Sequence, residues 1–331
     1  MPESNCREQR AVETSPLLDN QVDAENNGDC SVDESITSEF KLISRYSLPL
    51  IGTYLLQYSY NVILVFVVSH LGTKALASVS IGMTTMNIIG FSIFEGLATS
   101  LDTLCSHAYG SGNYKQVGVY VQQSFLFLLQ VCIPIMLLWI FSPFIFVHFI
   151  SDHEVAMLAG TFLQFASLSL PGYAAFEVGK RFLQAQGEFQ GGFVTLIVSM
   201  PVLIFCNWLF VYKLDWAITG AALAIVAWNT IRPIILFIYI RYHVPWTLQC
   251  WPGLFASPVF SDWMPMIRLS VAGAAMSVFE WLSFEIMTFS TTSLGTVPLA
   301  AQSVLVSVGA ILWHIPFPVS VAVATRIGFL M

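Results

Sequence analysis

Long apolar stretches, separated by short polar or glycine-containing breaks, dominate the pattern of this chain from about residue 47 onward. A helix that crosses the hydrocarbon core of a bilayer needs about 20 mostly apolar residues. Stretches of that length lie at 47–69, 76–105, 118–148, 155–177, 190–211, 217–240, 264–290 and 297–324. The pattern therefore predicts an all-α, polytopic membrane protein with about eight transmembrane helices.

The composition agrees with this prediction and excludes a soluble domain. Hydrophobic residues make up 56% of the 331 residues and charged residues only 10%, and the mean hydropathy is +0.72. A soluble protein would carry roughly 25% charged residues. Too few polar side chains are present to cover a water-exposed surface of this size.

The formal net charge of −7 is concentrated at the beginning of the chain. Residues 1–40 contain ten acidic residues against Arg7 and Arg10. This polar segment predicts a disordered, acidic cytoplasmic tail over residues 1–42. Within it, residues 13–18 fit an acidic dileucine sorting signal. We expect a vacuolar or lysosomal-type membrane, or the plasma membrane, as the location.

The distribution of Lys and Arg predicts the orientation. Cations near the helix ends are more frequent on the cytoplasmic side. With the N-terminus inside, eight of them fall on that side: Lys41, Arg45, Lys115, Lys180, Arg181, Arg241, Arg268 and Arg326. Only Lys74 and Lys213 fall outside, so we expect a cytoplasmic N-terminus and an even number of crossings.

An internal repeat suggests how the helices are grouped. Residues 71–80 (LGTKALASVS) return at 294–303 (LGTVPLAAQS), with six of ten positions identical at an offset of 223. The same offset aligns Gln57 with Glu280. Six helices then form one repeat unit, and a second full unit would extend to roughly residue 490. We expect a six-helix lobe at 43–243, an interfacial cytoplasmic linker at 244–262, and an incomplete second lobe, with two helices, at 263–331.

Two carboxylates in the seventh predicted helix are the strongest functional candidates. Glu280 and Glu285 lie within the apolar stretch 264–290. An ionisable residue inside a membrane helix is costly and therefore points to a polar cavity and a transport role. Proton or cation handling follows as the leading hypothesis.

No enzyme motif accompanies these carboxylates. The chain has no GxSxG, HExxH or Walker loop in a plausible context. Its six cysteines have no CxxC spacing, which argues against zinc and against a disulfide framework. We expect a protein that is not an enzyme, binds no metal or cofactor and has no nucleic-acid partner.

Several stretches together resemble the multidrug and toxic compound extrusion (MATE) family, in its eukaryotic, fungal- or plant-like form. They are Leu71-Gly72, residues 100–110 (SLDTLCSHAYG), Pro171-Gly172-Tyr173, residues 180–186 (KRFLQAQ), Glu280-Trp281 with Glu285, and residues 324–328 (ATRIG).

The resemblance implies a secondary antiporter that exports organic cations or other xenobiotics in exchange for protons, or less readily for sodium. Two lobes would rock around a central cavity within the bilayer. The carboxylates of proton and cation coupling would fall on Glu280 and Glu285, and cavity residues on Asn87 and Trp281. Ser307 stands where many animal relatives have a glutamate.

Other polar residues within the helices are candidates for lesser roles. Gln57 and Glu95 are expected at the substrate cavity, and Asp102 at the inner end, where Lys180 or Arg181 would pair with it. Arg326 closes the eighth helix and is expected to have a structural or gating role.

Two pairings are expected from depth in the membrane. Lys74 and Glu285 both lie toward the outer ends of their helices, so Lys74 could pair with Glu285. Arg232 needs a carboxylate or carbonyl partner, and a structural pairing is favoured over ligand contact.

Two other functions remain open at this point. The chain could be an incomplete, non-transporting membrane protein that is inactive or modulates a longer relative. A membrane enzyme is the third hypothesis. No protein partner is required by any feature of the sequence.

Overall fold

A computed structural model describes residues 32–150, 152–253, 262–292 and 312–330, with a few positions between 301 and 309. Eight long helices carry the fold in this part of the chain. They are α1 (Val32–Ser69), α2 (Thr73–Gly110), α3 (Tyr114–Ile140), α4 (His153–Gln184), α5 (Gln190–Lys213), α6 (Ala217–Tyr242), α7 (Met264–Thr292) and α8 (Pro316–Leu330). A short helix, Ser142–Phe149, follows α3.

The predicted all-α membrane architecture is confirmed. Seven of the described helices, α1 to α7, are long and apolar enough to cross a bilayer. Of the eighth predicted span, 297–324, the structure describes continuously only the part from residue 312 onward. The second copy of the repeat, at 294–303, lies largely outside the described residues. Exposed large side chains such as Phe66, Phe144 and Phe237 form an apolar outer surface of the kind that contacts lipid.

The first helix begins earlier than the pattern predicts. It starts at Val32, so the disordered tail predicted for residues 1–42 is wrong over its last part. The polar residues there continue the helix beyond the apolar span, and Glu39 forms an ion pair with Arg326 of α8. Residues 1–31 lie outside the described part of the chain.

Helices α1 to α6 form one bundle with a common core. α6 packs against α4 and α5, α1 packs against α5, and the beginning of α2 packs against α4. Phe94, Phe162, Phe176 and Trp228 are among the large side chains buried in this bundle.

Two π-helical turns occur within the described parts of the long helices. A π-helical turn spans Asn87–Phe91 in α2, and a second spans Trp208–Lys213 in α5. A π turn adds a residue to the helical repeat and changes the direction of the side chains that follow, and it often lies at a functional site.

The last two helices join the bundle at one end. α7 packs along the Ser92–Ala98 part of α2, and α8 packs against α1 and against the last part of α2. The crossing of α2 and α7 is very close: a Cβ atom on Gly96 would lie 2.6 Å from the Cα of Ala274. Only glycine leaves room for backbone contact at this crossing. The Ser270 hydroxyl donates to the Ser100 hydroxyl at 2.8 Å beside it.

The second half of α7 leaves the bundle. Residues Ser283 to Met287 are exposed, and the described contacts of α7 are with the later parts of α2, from the π turn onward. The described contacts therefore close the space between the lobes at the end near Ser100 and Ser270, whereas Glu285, toward the other end of α7, is exposed.

Candidate functional site

A cavity of about 220 Å³ occupies the space between the six-helix bundle and the last two helices. The bundle side is formed by α1, α2, α4 and α6, and the other side by α7 and α8. Its lining consists of Tyr54, Gln57, Tyr58, Tyr60, Asn61, Asn87, Phe91, Ser92, Glu95, Tyr173, Trp228, Arg232, Ser277, Glu280, Trp281, Phe284, Glu285, Trp313, His314 and Phe317. The wall is mainly aromatic, with a few charged and amide groups.

The π turn of α2 positions one polar corner of this cavity. Asn87 begins the turn, and its Oδ1 accepts a hydrogen bond of 2.6 Å from the Tyr60 hydroxyl. Its Nδ2 donates to Oδ1 of Asn61 at 3.3 Å. Phe91 ends the turn and stacks on Tyr173, with the ring centroids 4.1 Å apart. The turn thus fixes an amide cluster and an aromatic wall side by side.

Three carboxylates reach the same cavity. Glu95 comes from α2, and Glu280 and Glu285 come from α7. Glu280 is half-buried and Glu285 is exposed. Within the described part of the chain, no salt bridge involves any of these three side chains. They are available for a proton or a cation that enters the cavity.

The predicted partner of Glu285 is wrong. Lys74 forms an ion pair with Glu154 at the beginning of α4, and both side chains are more than half exposed. The packing of the first part of α2 on α4 brings these two helix ends together. Lys74 is therefore held away from α7.

At the closed end, the predicted partner of Asp102 is found. The Arg181 guanidinium forms an ion pair with Asp102 and donates a second hydrogen bond of 3.3 Å to the backbone oxygen of Glu95. Arg181 is 1% exposed. Arg181 joins α4 to α2 at the closed end of the cavity.

Lys180 has a different partner, which the sequence reasoning missed. Its Nζ lies 2.8 Å from Oε2 of Glu177 and donates to Oε1 at 3.0 Å. Both side chains are completely buried. A residue pair at i and i+3 on one helix faces the same side, so this spacing was a visible signal for the pair.

Gln57 connects this buried pair to the cavity wall. Its Nε2 donates to Glu177 at 3.0 Å and lies 3.3 Å from the Tyr173 hydroxyl, and its Oε1 accepts from Lys180 at 3.4 Å. Gln57 itself lines the cavity. The amide therefore satisfies both charged groups while forming part of the cavity surface.

The remaining candidates divide between the cavity and the end of the molecule. Trp281 lines the cavity beside Phe284, where aromatic faces attract organic cations. Arg326 lies away from the cavity and forms a bidentate pair with Glu39, at 2.6 and 3.0 Å. Ser307 lies outside the described residues.

The carboxylate or carbonyl partner expected for Arg232 is not found among the described residues, so this prediction is wrong there. Arg232 lies in α6, lines the cavity and is 1% exposed. Its Nε and Nη2 have no hydrogen-bond partner. Its guanidinium carbon instead lies 4.0 Å from the ring centre of Phe176 and 4.4 Å from that of Trp228.

Comparisons with known proteins agree with the fold. The MatE family model matches residues 49–209. An uncharacterised transporter of Saccharomyces cerevisiae is 37% identical over 88% of this chain and 42% of its own length. Protein DETOXIFICATION 16 of Arabidopsis thaliana is 33% identical over 89% of this chain and 60% of its own length.

A solved structure shares the fold. The crystal structure of the eukaryotic MATE transporter AtDTX14 superposes with a TM-score of 0.81 and 28% identity, covering 88% of this chain and 65% of that one. The chain spans about half the length of the curated relatives it matches. The family match, the relatives and the shared fold show that this chain belongs to the MatE family of multi-pass membrane transporters.

Proposed function

We propose that this chain supplies the substrate cavity of a secondary antiporter, which exports organic cations or other xenobiotics in exchange for protons. The observation that carries the proposal is the cavity between the lobes, in which Glu95, Glu280 and Glu285 face an aromatic wall. A carboxyl group is neutral when it is protonated. It attracts a cation only after it has lost its proton. One site can therefore hold a proton or a cationic substrate, but not both.

The shape of the cavity supports alternating access. It is closed where Ser100 meets Ser270, and Glu285, toward the other end of α7, is exposed. With the N-terminus in the cytoplasm, as the distribution of Lys and Arg predicts, the open side faces away from the cytoplasm. A proton that enters from there meets Glu285 first and Glu280 deeper in the cavity.

The relatives give the substrate class its support. Proteins named multidrug and toxin extrusion protein 1, from human and rabbit, are 31% and 33% identical over 78% of this chain. We infer a comparable class of substrate, with protons preferred over sodium as the coupling ion, and a vacuolar or lysosomal-type or plasma membrane as the location.

Binding of tetraphenylphosphonium to the purified chain in lipid nanodiscs tests the proposal. We expect binding to tighten as the pH rises from 5 to 8, because deprotonation of the cavity carboxylates creates the negative charge that holds the cation. Glu280→Gln should weaken binding about tenfold or more, on the scale of one charge-assisted contact. The variant should also show a smaller pH dependence than the original chain, because only Glu95 and Glu285 then remain to titrate in the cavity.

Asp215→Asn is the matched control, because Asp215 is exposed in the connection between α5 and α6. This variant should bind the probe like the original chain. Unchanged binding and pH dependence in Glu280→Gln would overturn the role of Glu280. In membrane vesicles that contain the protein, the same substitution should abolish proton-driven efflux with expression unchanged.

A further inference from the structure

Arg232 is a buried charge without a charged partner at the wall of the cavity. A guanidinium remains protonated under all ordinary conditions. Burying such a charge costs several kcal/mol unless it is paired. The described residues give it three aromatic faces, those of Tyr173, Phe176 and Trp228, and no hydrogen-bond acceptor for Nε or Nη2.

The nearby carboxylate is already engaged. Glu177 influences Arg232 electrostatically, but it forms its ion pair with Lys180 and accepts a further hydrogen bond from Gln57. Stacking on aromatic rings holds the guanidinium plane without using its N–H groups. Nε and Nη2 of Arg232 therefore remain without a hydrogen-bond acceptor.

The unpartnered nitrogens have a useful arrangement. Nε and Nη2 form one edge of the guanidinium, and both are covered and without a hydrogen-bond partner. Arg232 itself lines the cavity. Asn229, three residues earlier on the same helix, is completely buried, and both atoms of its amide also lack partners. Unused hydrogen-bonding capacity is thus concentrated on one side of α6.

We propose that Arg232 forms a subsite for an anionic group of the substrate, such as a carboxylate. A carboxylate that enters the cavity would supply the acceptors that the guanidinium lacks, in the geometry that arginine favours. Glu280 and Glu285 stand on the opposite lobe of the same cavity. The cavity then fits a zwitterionic organic molecule, with its anionic end at α6 and its cationic end at α7. This inference deepens the proposed function and depends on the same cavity.

Two dyes that differ only in a carboxylate test the inference. Rhodamine 110 carries a free carboxylate, and rhodamine 123 is its methyl ester. Their binding to the chain in nanodiscs is measured by fluorescence anisotropy. We expect Arg232→Met to weaken the acid about tenfold to a hundredfold, the range for a lost hydrogen bond to a charged group. The ester should stay within about twofold, or bind more tightly because a like charge has been removed.

Matched variants keep the result interpretable. Arg241→Met changes an exposed arginine on the same helix and should leave both dyes unaffected. If Arg232→Met does not fold, Arg232→Gln is measured in the same way. Equal weakening of acid and ester, or an acid that binds unchanged, would overturn the subsite.

The outcomes separate this inference from the proposed function. Failure of the cation function appears as no binding of the ester to the original chain, while the acid still binds and still depends on Arg232. Failure of the anionic subsite appears as ester binding that depends on Glu280, while acid binding is indifferent to Arg232.

Discussion

At the scale of single residues, the buried pair of Glu177 and Lys180 has the largest expected effect on stability. Each of the two side chains is completely buried, and each compensates the other. Removing one partner of such a pair leaves an uncompensated charge, which costs about 3–5 kcal/mol. Replacing both partners by apolar residues removes the charge and its cost together.

We therefore expect Glu177→Gln to lower the thermal midpoint of the detergent-solubilised chain strongly. The double variant Glu177→Leu/Lys180→Leu should recover most of the loss. Differential scanning fluorimetry measures both. A single variant as stable as the original chain would show that Lys180 finds another partner.

Glu188, between α4 and α5 and outside the spans, gives a pH-dependent prediction. Its carboxylate accepts hydrogen bonds from the Gln190 backbone N–H at 3.1 Å and from the Tyr239 hydroxyl at 3.2 Å. Burial nevertheless raises the pKa of Glu188 above its ordinary value. The folded chain then holds this proton more tightly than the unfolded chain, so its contribution to stability is present at low pH and is lost as the pH rises.

Glu188→Gln should remove this dependence. Relative to the original chain, the variant should become progressively more stable as the pH rises from 4 to 7, because the original chain alone acquires a buried charge. Thermal midpoints at matched pH values measure the difference. A difference that is constant across this range would contradict the raised pKa.

At the scale of helices, the crossing of α2 and α7 depends on two glycines. A Cβ on Gly96 would collide with the backbone of α7, and a Cβ on Gly273 would collide with the Thr99 side chain. Any larger residue forces the two helices apart. The closed end of the cavity therefore depends on the absence of side chains at these positions.

We expect Gly273→Val to open this end. Cysteines placed at Ser100 and Ser270, whose hydroxyls are 2.8 Å apart, should cross-link readily in the original background and poorly with Gly273→Val. Ala272→Val adds the same side chain at an exposed neighbouring position and should not reduce the cross-link. Equal cross-linking in the two valine variants would show that the crossing tolerates a side chain.

At the scale of the whole molecule, the orientation in the membrane is open to direct measurement. The distribution of cations predicts that the connection between α2 and α3 lies in the cytoplasm and that the connection between α5 and α6 lies outside. Lys180 and Arg181 are buried inside α4, so the remaining cations carry this argument.

In intact cells, we expect a cysteine at Ser111 not to react with a membrane-impermeant maleimide. It should react once the membrane has been permeabilised. A cysteine at Asp215 should react without that treatment. Both positions are exposed in the structure, so access to the reagent depends on the side of the membrane. The reverse pattern would place the N-terminus outside.

Much of this architecture could be predicted from the sequence, because the bilayer demands apolar helices of fixed length. The same constraint makes each intramembrane carboxylate conspicuous, and Glu280, Glu285 and Glu95 do line one cavity. Pairings across helices were less predictable. Lys74 meets Glu154 through the packing of two helix ends, and no sequence pattern reveals that contact.

The aromatic cage around Arg232 shows the same limit. The rings that hold it come from α4 and α6, at Tyr173, Phe176 and Trp228. A charge in a membrane helix implies some compensation, but the sequence does not say whether rings, carboxylates or a ligand provide it. The structure shows that aromatic rings surround the guanidinium.

The contact of Gly96 with Gly273 also marks a pivot point for any tilt of α7 relative to α2. At a rise of 1.5 Å per residue, Glu280 lies about 10 Å and Glu285 about 18 Å along the helix from that point. A tilt of about 10° would therefore carry Glu280 roughly 2 Å and Glu285 roughly 3 Å. The outer carboxylate sweeps farther than the inner one, so a small pivot would change the spacing between the two acidic groups and the fixed wall unequally.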